Sequence, residues 1–243
     1  MKKSKSQKFI KIPFIIAVII IFLVAIFVFT FQYSRSWENG LFQSPLYRLN
    51  TSEKFVALTF DDGPLDTRTP ALLEILQEQD VTATFFMLGE NIEKHPDIAR
   101  QVFLDGHLIG NHSYNHPRLI FKSPAFVTDQ IARTDKLIQS LGQTEVKYFR
   151  PPYSSKYIIL PLVLNSMGKT LVTGTFDPPG EYLSPYNAQT VSDEVVSHIQ
   201  PGSIIYMHDG KTGDVEEFIQ SVEFIITELH KKGYQFVRLD EVL

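Results

Sequence analysis

Cysteine is absent from the 243 residues, which removes disulfides as a source of stability and thiolates as nucleophiles or metal ligands. Any metal site must be built from histidine and carboxylate. Positive charge is also sparse: 23 Lys and Arg against 27 Asp and Glu leave a formal net charge of -4. That is too little basic surface for nucleic acid to be a partner. Tryptophan occurs once, at Trp37, and there is no internal repeat and no low-complexity tract beyond one apolar run. Nothing in the sequence marks an obligate protein partner. With 44% of its residues apolar and 21% charged, the chain can bury one sizeable core.

The apolar run extends from Pro13 to Phe31, long enough as a helix to cross a bilayer core of about 30 Å. Lys2, Lys3, Lys5, Lys8 and Lys11 precede it and only Arg35 follows closely, an asymmetry that places the N-terminus in the cytoplasm. A cleaved secretory signal is the competing reading. Its apolar core is shorter and is followed by small residues, whereas this run ends in Phe-Val-Phe-Thr-Phe-Gln-Tyr. The expected organisation is a basic cytoplasmic tail over 1–12, a membrane anchor over 13–32, a stalk over 33–52 and an extracellular catalytic domain over 53–243.

From Glu53 onward strand-like and helix-like segments alternate. Short β-branched and aromatic runs at 55–60, 83–88, 108–111, 147–149, 170–176, 203–207 and 235–239 predict seven strands. Amphipathic stretches lie between them, the clearest carrying Val215, Phe218, Ile219, Val222, Ile225, Ile226 and Leu229 at helical spacing. Pro70, Pro96 and Pro124 suit first turns, and Gly106, Gly142, Gly168 and Gly233 suit helix C-caps. The alternation predicts an α/β fold whose parallel strands close, or nearly close, into an irregular barrel.

Polar residues follow the strands. Asp61 and Asp62 follow the first, His112 the third, Arg150 the fourth, Asp177 the fifth and His208 the sixth. In a parallel barrel those ends share one mouth. The Asp-Asp-Gly-Pro turn lets both carboxylates reach it, so that one binds a metal and its neighbour stays free to take a proton. His112 and His116, spaced i, i+4, can grip one ion and leave positions open for water and substrate. His208 at a strand end suits a general acid that protonates a departing amine. Arg150 can hold a catalytic carboxylate in its orientation, and the stiff Pro151-Pro152 pair can aim the Tyr153 amide at an oxyanion. His95, His107, His198 and His230 lack such company and read as surface or capping residues. Tyr182 to Tyr186 form an aromatic loop whose rings offer flat apolar faces.

These motifs, Thr59-Phe-Asp-Asp-Gly-Pro64, His112-Ser-x-x-His-Pro117, Arg150-x-Pro-Tyr153 and His208-Asp209, make the stretch from about Lys54 to Leu243 resemble the polysaccharide deacetylases of the NodB-homology type, carbohydrate esterase family 4. The resemblance implies a deformed (β/α) barrel that removes acetyl groups from a sugar polymer. It implies Asp61 as general base, Asp62, His112 and His116 as metal ligands, His208 as general acid and Arg150 as the group that orients Asp61.

Two departures stand out. Where the family carries an Asp-Trp pair this chain reads Thr175-Phe-Asp-Pro-Pro-Gly-Glu-Tyr182, leaving Asp177 and Glu181 as the carboxylates able to tune His208. Tyr206 stands where the family has a Leu lining the acetyl pocket. Zn²⁺ is the leading metal, with Co²⁺, Ni²⁺ and Mn²⁺ compatible with the same ligands. An outward-facing tethered domain ranks peptidoglycan N-acetylglucosamine first as substrate, chitin-like oligomers second and acetylated xylan third. Three other readings use the same residues: a non-haem iron oxygenase, a tethered but inert glycan-binding homologue, and a glycosidase using Asp61 and Asp62. The last suffers because adjacent residues rarely flank a bond at the ~5 to 9 Å such carboxylates need.

Overall fold

The computed structural model describes residues 6–211 and 213–242; residues 1–5 of the expected basic tail lie outside the described residues. The apolar run is part of one helix, α1 (Ser6–Arg35), and over its most apolar window from Pro13 none of it is buried by the protein.

The domain alternates β1 (Phe55–Asp61), α2 (Arg68–Glu78), β2 (Thr84–Met87), α3 (Gly89–Lys94), α4 (Pro96–Leu104), β3 (Leu108–Asn111), α5 (Pro124–Leu141), β4 (Tyr148–Phe149), α6 (Ile159–Ser166), β5 (Thr170–Leu171), α7 (Ala188–His198), β6 (Ile204–His208), α8 (Val215–Lys231) and β7 (Gln235–Phe236). Helix starts follow local chemistry: Ser123, Asn187 and Asp214 each accept an amide hydrogen bond at the N-cap of α5, α7 and α8. The stripe expected on α8 turns inward, with Phe218, Val222, Ile225, Ile226 and Leu229 fully buried.

All pairings between the seven strands are parallel, in the order β5-β4-β3-β2-β1-β6, with β7 beside the start of β1. The fifth strand is shorter than the 170–176 expected, because the chain leaves β4 after Leu171 and crosses to β6. There Thr175 N–H donates to Ile204 O (2.8 Å) and Tyr206 N–H donates to Phe176 O (2.9 Å). This crossing joins the sheet's two edges into a deformed barrel.

Strand parity sorts the side chains. On β1, Val56, Leu58 and Phe60 belong to the large core under the helices. Ala57 faces the barrel interior with Phe86, Tyr148, Val172 and Ile204, so Thr59 and Asp61 share that inner face. The register pairs Asp61 with Phe86 on one side and with His208 on the other.

Of residues 33–52, expected as a stalk, 33–35 belong to α1 and 36–52 lie against the domain instead of extending from it. Leu46 bridges Val172, Arg48 bridges Ser203 and Leu49 is buried. His107, expected at the surface, is buried and accepts the Ala83 N–H on Nδ1 (3.1 Å). Burial pulls its pKa down to about 4, so it is a neutral core residue.

Candidate active site

Asp61 and Asp62 are separated by a reversal of the backbone. Asp61 ends β1 pointing inward, and Asp62 adopts φ 73°, so the second carboxylate turns toward the same mouth instead of the opposite face. Ser113 and His116 also sit at positive φ, 71° and 57°, conformations that disfavour residues other than Gly and cluster at sites where neighbours enforce them. The enforcement is visible around the histidine turn. Asn111 Oδ1 accepts the Ser113 N–H (2.8 Å) while its amide donates to Ile131 O and Asp135, and Gln130 Oε1 accepts the Tyr114 N–H (3.0 Å).

That turn brings the imidazoles together, their ring centroids 5.1 Å apart. Asp62 Oδ1 lies 3.3 Å from His112 Nε2 and 3.2 Å from His116 Nε2. His112 Nδ1 is 2.8 Å from Arg150 O; a carbonyl only accepts, so the ring proton sits there and Nε2 presents a lone pair. Asp62 Oδ1 is buried and makes no hydrogen bond among the described residues. Acceptors converging without a proton between them suit a divalent cation held by one carboxylate and two imidazoles. Burial lowers the pKa of His116 and so favours its neutral, ligating form.

Asp61 is fixed from behind. Arg150, fully buried, donates through one guanidinium nitrogen to Asp61 Oδ1 (2.6 Å) and Thr59 Oγ1 (2.7 Å), and through another to Thr173 O (2.9 Å). Its guanidinium lies between the Phe86 ring, 4.1 Å away, and the Tyr206 ring, 3.8 Å away. Aromatic faces on both sides compensate part of the lost hydration. Tyr206 therefore forms one face of the arginine's slot. Gly110 makes room for the other, since a Cβ there would overlap Phe86.

His208 ends β6 beside Asp61. Glu181 accepts both its backbone N–H (Oε1, 2.7 Å) and its Nδ1–H (Oε2, 2.7 Å), and Lys211 reaches the same Oε2 at 3.3 Å. Burial lowers the His208 pKa, but the buried Glu181 carboxylate outweighs that and raises it overall. The imidazole is thus poised as an acid with Nε2 toward the cavity, 3.5 Å from Tyr182 OH. Of the two carboxylates left open by sequence, Glu181 holds His208. Asp177 is instead bonded by Tyr182 OH at 2.9 and 3.1 Å.

A cavity of about 700 Å³ connects these groups. Asp61, Asp62, His112, His116, Tyr153, Asp177 and His208 all line it. Tyr153, at φ 58°, packs its ring 4.5 Å from His116 and under the Arg118 guanidinium. Tyr182 reaches the cavity, whereas Tyr186 is turned away and bonded to Ser221 Oγ on α8 (2.8 Å). Sequence reasoning missed Thr59, Phe86 and Lys211. Thr59 alone carried a signal, sharing Asp61's strand parity. Phe31, Arg35 and Trp37, from helix α1 and the segment after it, also line the cavity; nothing in the sequence tied them to it.

Comparison with known proteins agrees with this geometry. Residues 48–172 match the family described as polysaccharide deacetylase. A peptidoglycan-N-acetylglucosamine deacetylase of Bacillus cereus is 36% identical over 187 residues, which is 76% of this chain and 66% of that protein. A chitooligosaccharide deacetylase of Azorhizobium caulinodans is 32% identical over 198 residues, 77% of this chain and 93% of that protein. The crystal structure of a peptidoglycan N-acetylglucosamine deacetylase superposes with a TM-score of 0.77 at 32% identity, covering 81% of this chain and 91% of that one.

Proposed function

The chain belongs to the polysaccharide deacetylase family, and from that membership we propose that it is a metal-dependent hydrolase removing acetyl groups from an N-acetylated cell-wall or surface glycan. Peptidoglycan N-acetylglucosamine ranks first and chitin-like oligomers second, an order supported by the activities named for its relatives.

Support for this reading comes chiefly from the juxtaposition of a partnerless Asp62 oxygen between two imidazoles with Asp61 and His208 on the same cavity. Asp62, His112 and His116 would hold the ion, with Zn²⁺ first and Co²⁺, Ni²⁺ or Mn²⁺ as substitutes. Such an ion supplies Lewis acidity toward a carbonyl oxygen and lowers the pKa of water. Asp61, locked by Arg150, takes the proton from the attacking water as its oxygen adds to the acetamide carbon. The Tyr153 N–H donates to the developing oxyanion. His208 then gives its Nε2 proton to the sugar nitrogen as the C–N bond breaks, and acetate and the free amine leave. A general acid or base of this kind contributes about 10² to 10⁴ in rate.

An acetate-release assay on acetylated glycans, before and after chelation, tests the reading. Asp61→Asn and His208→Ala should each lower kcat by about 10² to 10⁴ and retain bound metal, whereas Asp62→Ala should lose the metal with the activity. An Asp61→Asn protein that still releases acetate at the wild-type rate removes Asp61 from the mechanism.

The finer organisation follows the same reading: 13–32 as an uncleaved membrane anchor, residues 53–243 as the catalytic domain, and the domain on the outer side of the membrane. The exposed apolar face of α1 supports the first of these.

A further inference from the structure

The catalytic cavity is walled on one side by chain that lies outside the barrel. Trp37, half-buried, stands with its ring 5.6 Å from Tyr206, whose own ring is 6.2 Å from His208. Phe31 and Arg35 extend the same wall.

The barrel fixes this segment by its backbone. Thr173 Oγ1 donates to Trp37 O (2.6 Å), and the carbonyl of the same Thr173 accepts from Arg150, the residue that holds Asp61. Lys156, 1% exposed, donates through Nζ to Ser36 O (2.7 Å). A buried ammonium is costly unless paired, so spending it on this carbonyl ties residue 36 firmly to the domain. The indole is left free of those bonds, with part of its surface facing the cavity. A half-exposed aromatic face beside a set of polar reacting groups fits a ligand with one apolar and one polar side, as a pyranose ring has.

We infer that residues 31–37 form one wall of the substrate site and that the Trp37 indole packs against a sugar ring of the bound glycan. The inference deepens the deacetylase reading and rests on it. The glycan is gripped between the barrel and the segment that continues α1, so specificity is partly encoded outside the catalytic domain.

Trp37 is the chain's single tryptophan, so fluorescence excited at the red edge, where tyrosine does not absorb, reports on this residue alone. The full chain carrying Asp61→Asn, in detergent, is titrated with N-acetylglucosamine tetramer. The emission should shift to the blue and iodide quenching should fall, both saturating together. In the otherwise wild-type chain Trp37→Ala should raise KM for the tetramer about three- to tenfold with little change in kcat, and Trp37→Phe should recover most of the loss. If Trp37 only supported the fold, its loss would lower kcat as well as raising KM, and the emission of Asp61→Asn would not move with the tetramer. If the wild-type chain deacetylates the tetramer while saturating tetramer leaves Trp37 emission and quenching unchanged, the wall is not a substrate wall and the deacetylase reading stands. If the wild-type chain releases no acetate from the tetramer or from peptidoglycan, the deacetylase reading falls and takes this inference with it.

Discussion

Arg150 and Glu181 occupy equivalent stations behind the two groups that would move protons. Each is buried, each makes two hydrogen bonds or more, and each fixes its partner from the side away from the cavity. For His208 the consequence can be read as pH dependence. Burial lowers the imidazole's pKa, and Glu181 raises it by more, for a net rise. With His208 as the proposed general acid, its protonated form would be the active one, so kcat/KM should fall as pH rises through this raised value. Glu181→Gln removes the negative charge, keeps an acceptor for Nδ1–H, and should move the alkaline limb to lower pH. A pH profile of kcat/KM with its alkaline limb unmoved would show that His208 is not the acid. At this scale the sequence was legible where geometry is local: a carboxylate pair on a turn, an i, i+4 pair of imidazoles, a histidine ending a strand. It could not decide between Asp177 and Glu181, because the 3₁₀ turn Pro179–Tyr182 that delivers Glu181 has no periodicity to read.

The strands deliver the site because β1 and β6 are in register and nearly touch where they end. Gly210 N–H donates to Asp61 O (3.1 Å), and a Cβ on Gly210 would overlap the backbone of Asp62. Backbone cannot yield as a flexible side chain would, so Gly210→Ala should displace the Asp62 carboxylate from the two imidazoles. Metal affinity should fall about 10- to 100-fold, the range for disturbed ligand support, with thermal unfolding measured alongside. Retention of full metal affinity would mean that the Asp62 turn is looser than its contacts indicate. All seven strands were readable from short β-branched and aromatic runs. Where the chain crosses between sheet edges was not: Val172 to Phe176 reads as strand, but Thr173 O is taken by Arg150 and Thr175 pairs with β6 instead of β4.

For the molecule as a whole, the relation of helix α1 to the cavity depends on one aromatic cluster. Phe27 stacks with Phe121 at 6.4 Å and meets Tyr157 edge-on at 6.1 Å, while Thr30 Oγ1 and Tyr157 OH share a hydrogen bond of 2.9 Å. Phe27 precedes Arg35 by eight residues, about 12 Å along a helix. The loop carrying Phe121 therefore runs beside the last turns of the apolar run, not beyond its end, and Phe121 itself is 68% exposed. Under the proposed membrane anchoring, an exposed aromatic at that level would belong in the interface between lipid headgroups and acyl chains. With 13–32 as the proposed span, the mouth of the barrel would lie close to the membrane surface. The absence of cysteine makes this measurable, because each introduced thiol is unique. In proteoliposomes Phe121→Cys should react with a water-soluble maleimide more slowly than in detergent, and a fluorophore attached there should be quenched by a lipid-borne quencher. Lys232→Cys, exposed beside the start of β1 and so at the opposite end of the barrel, should react equally in both and escape the quencher. Equal reactivity of the two positions in proteoliposomes would mean that the domain stands away from the bilayer and that the Phe27–Phe121 contact is not kept there.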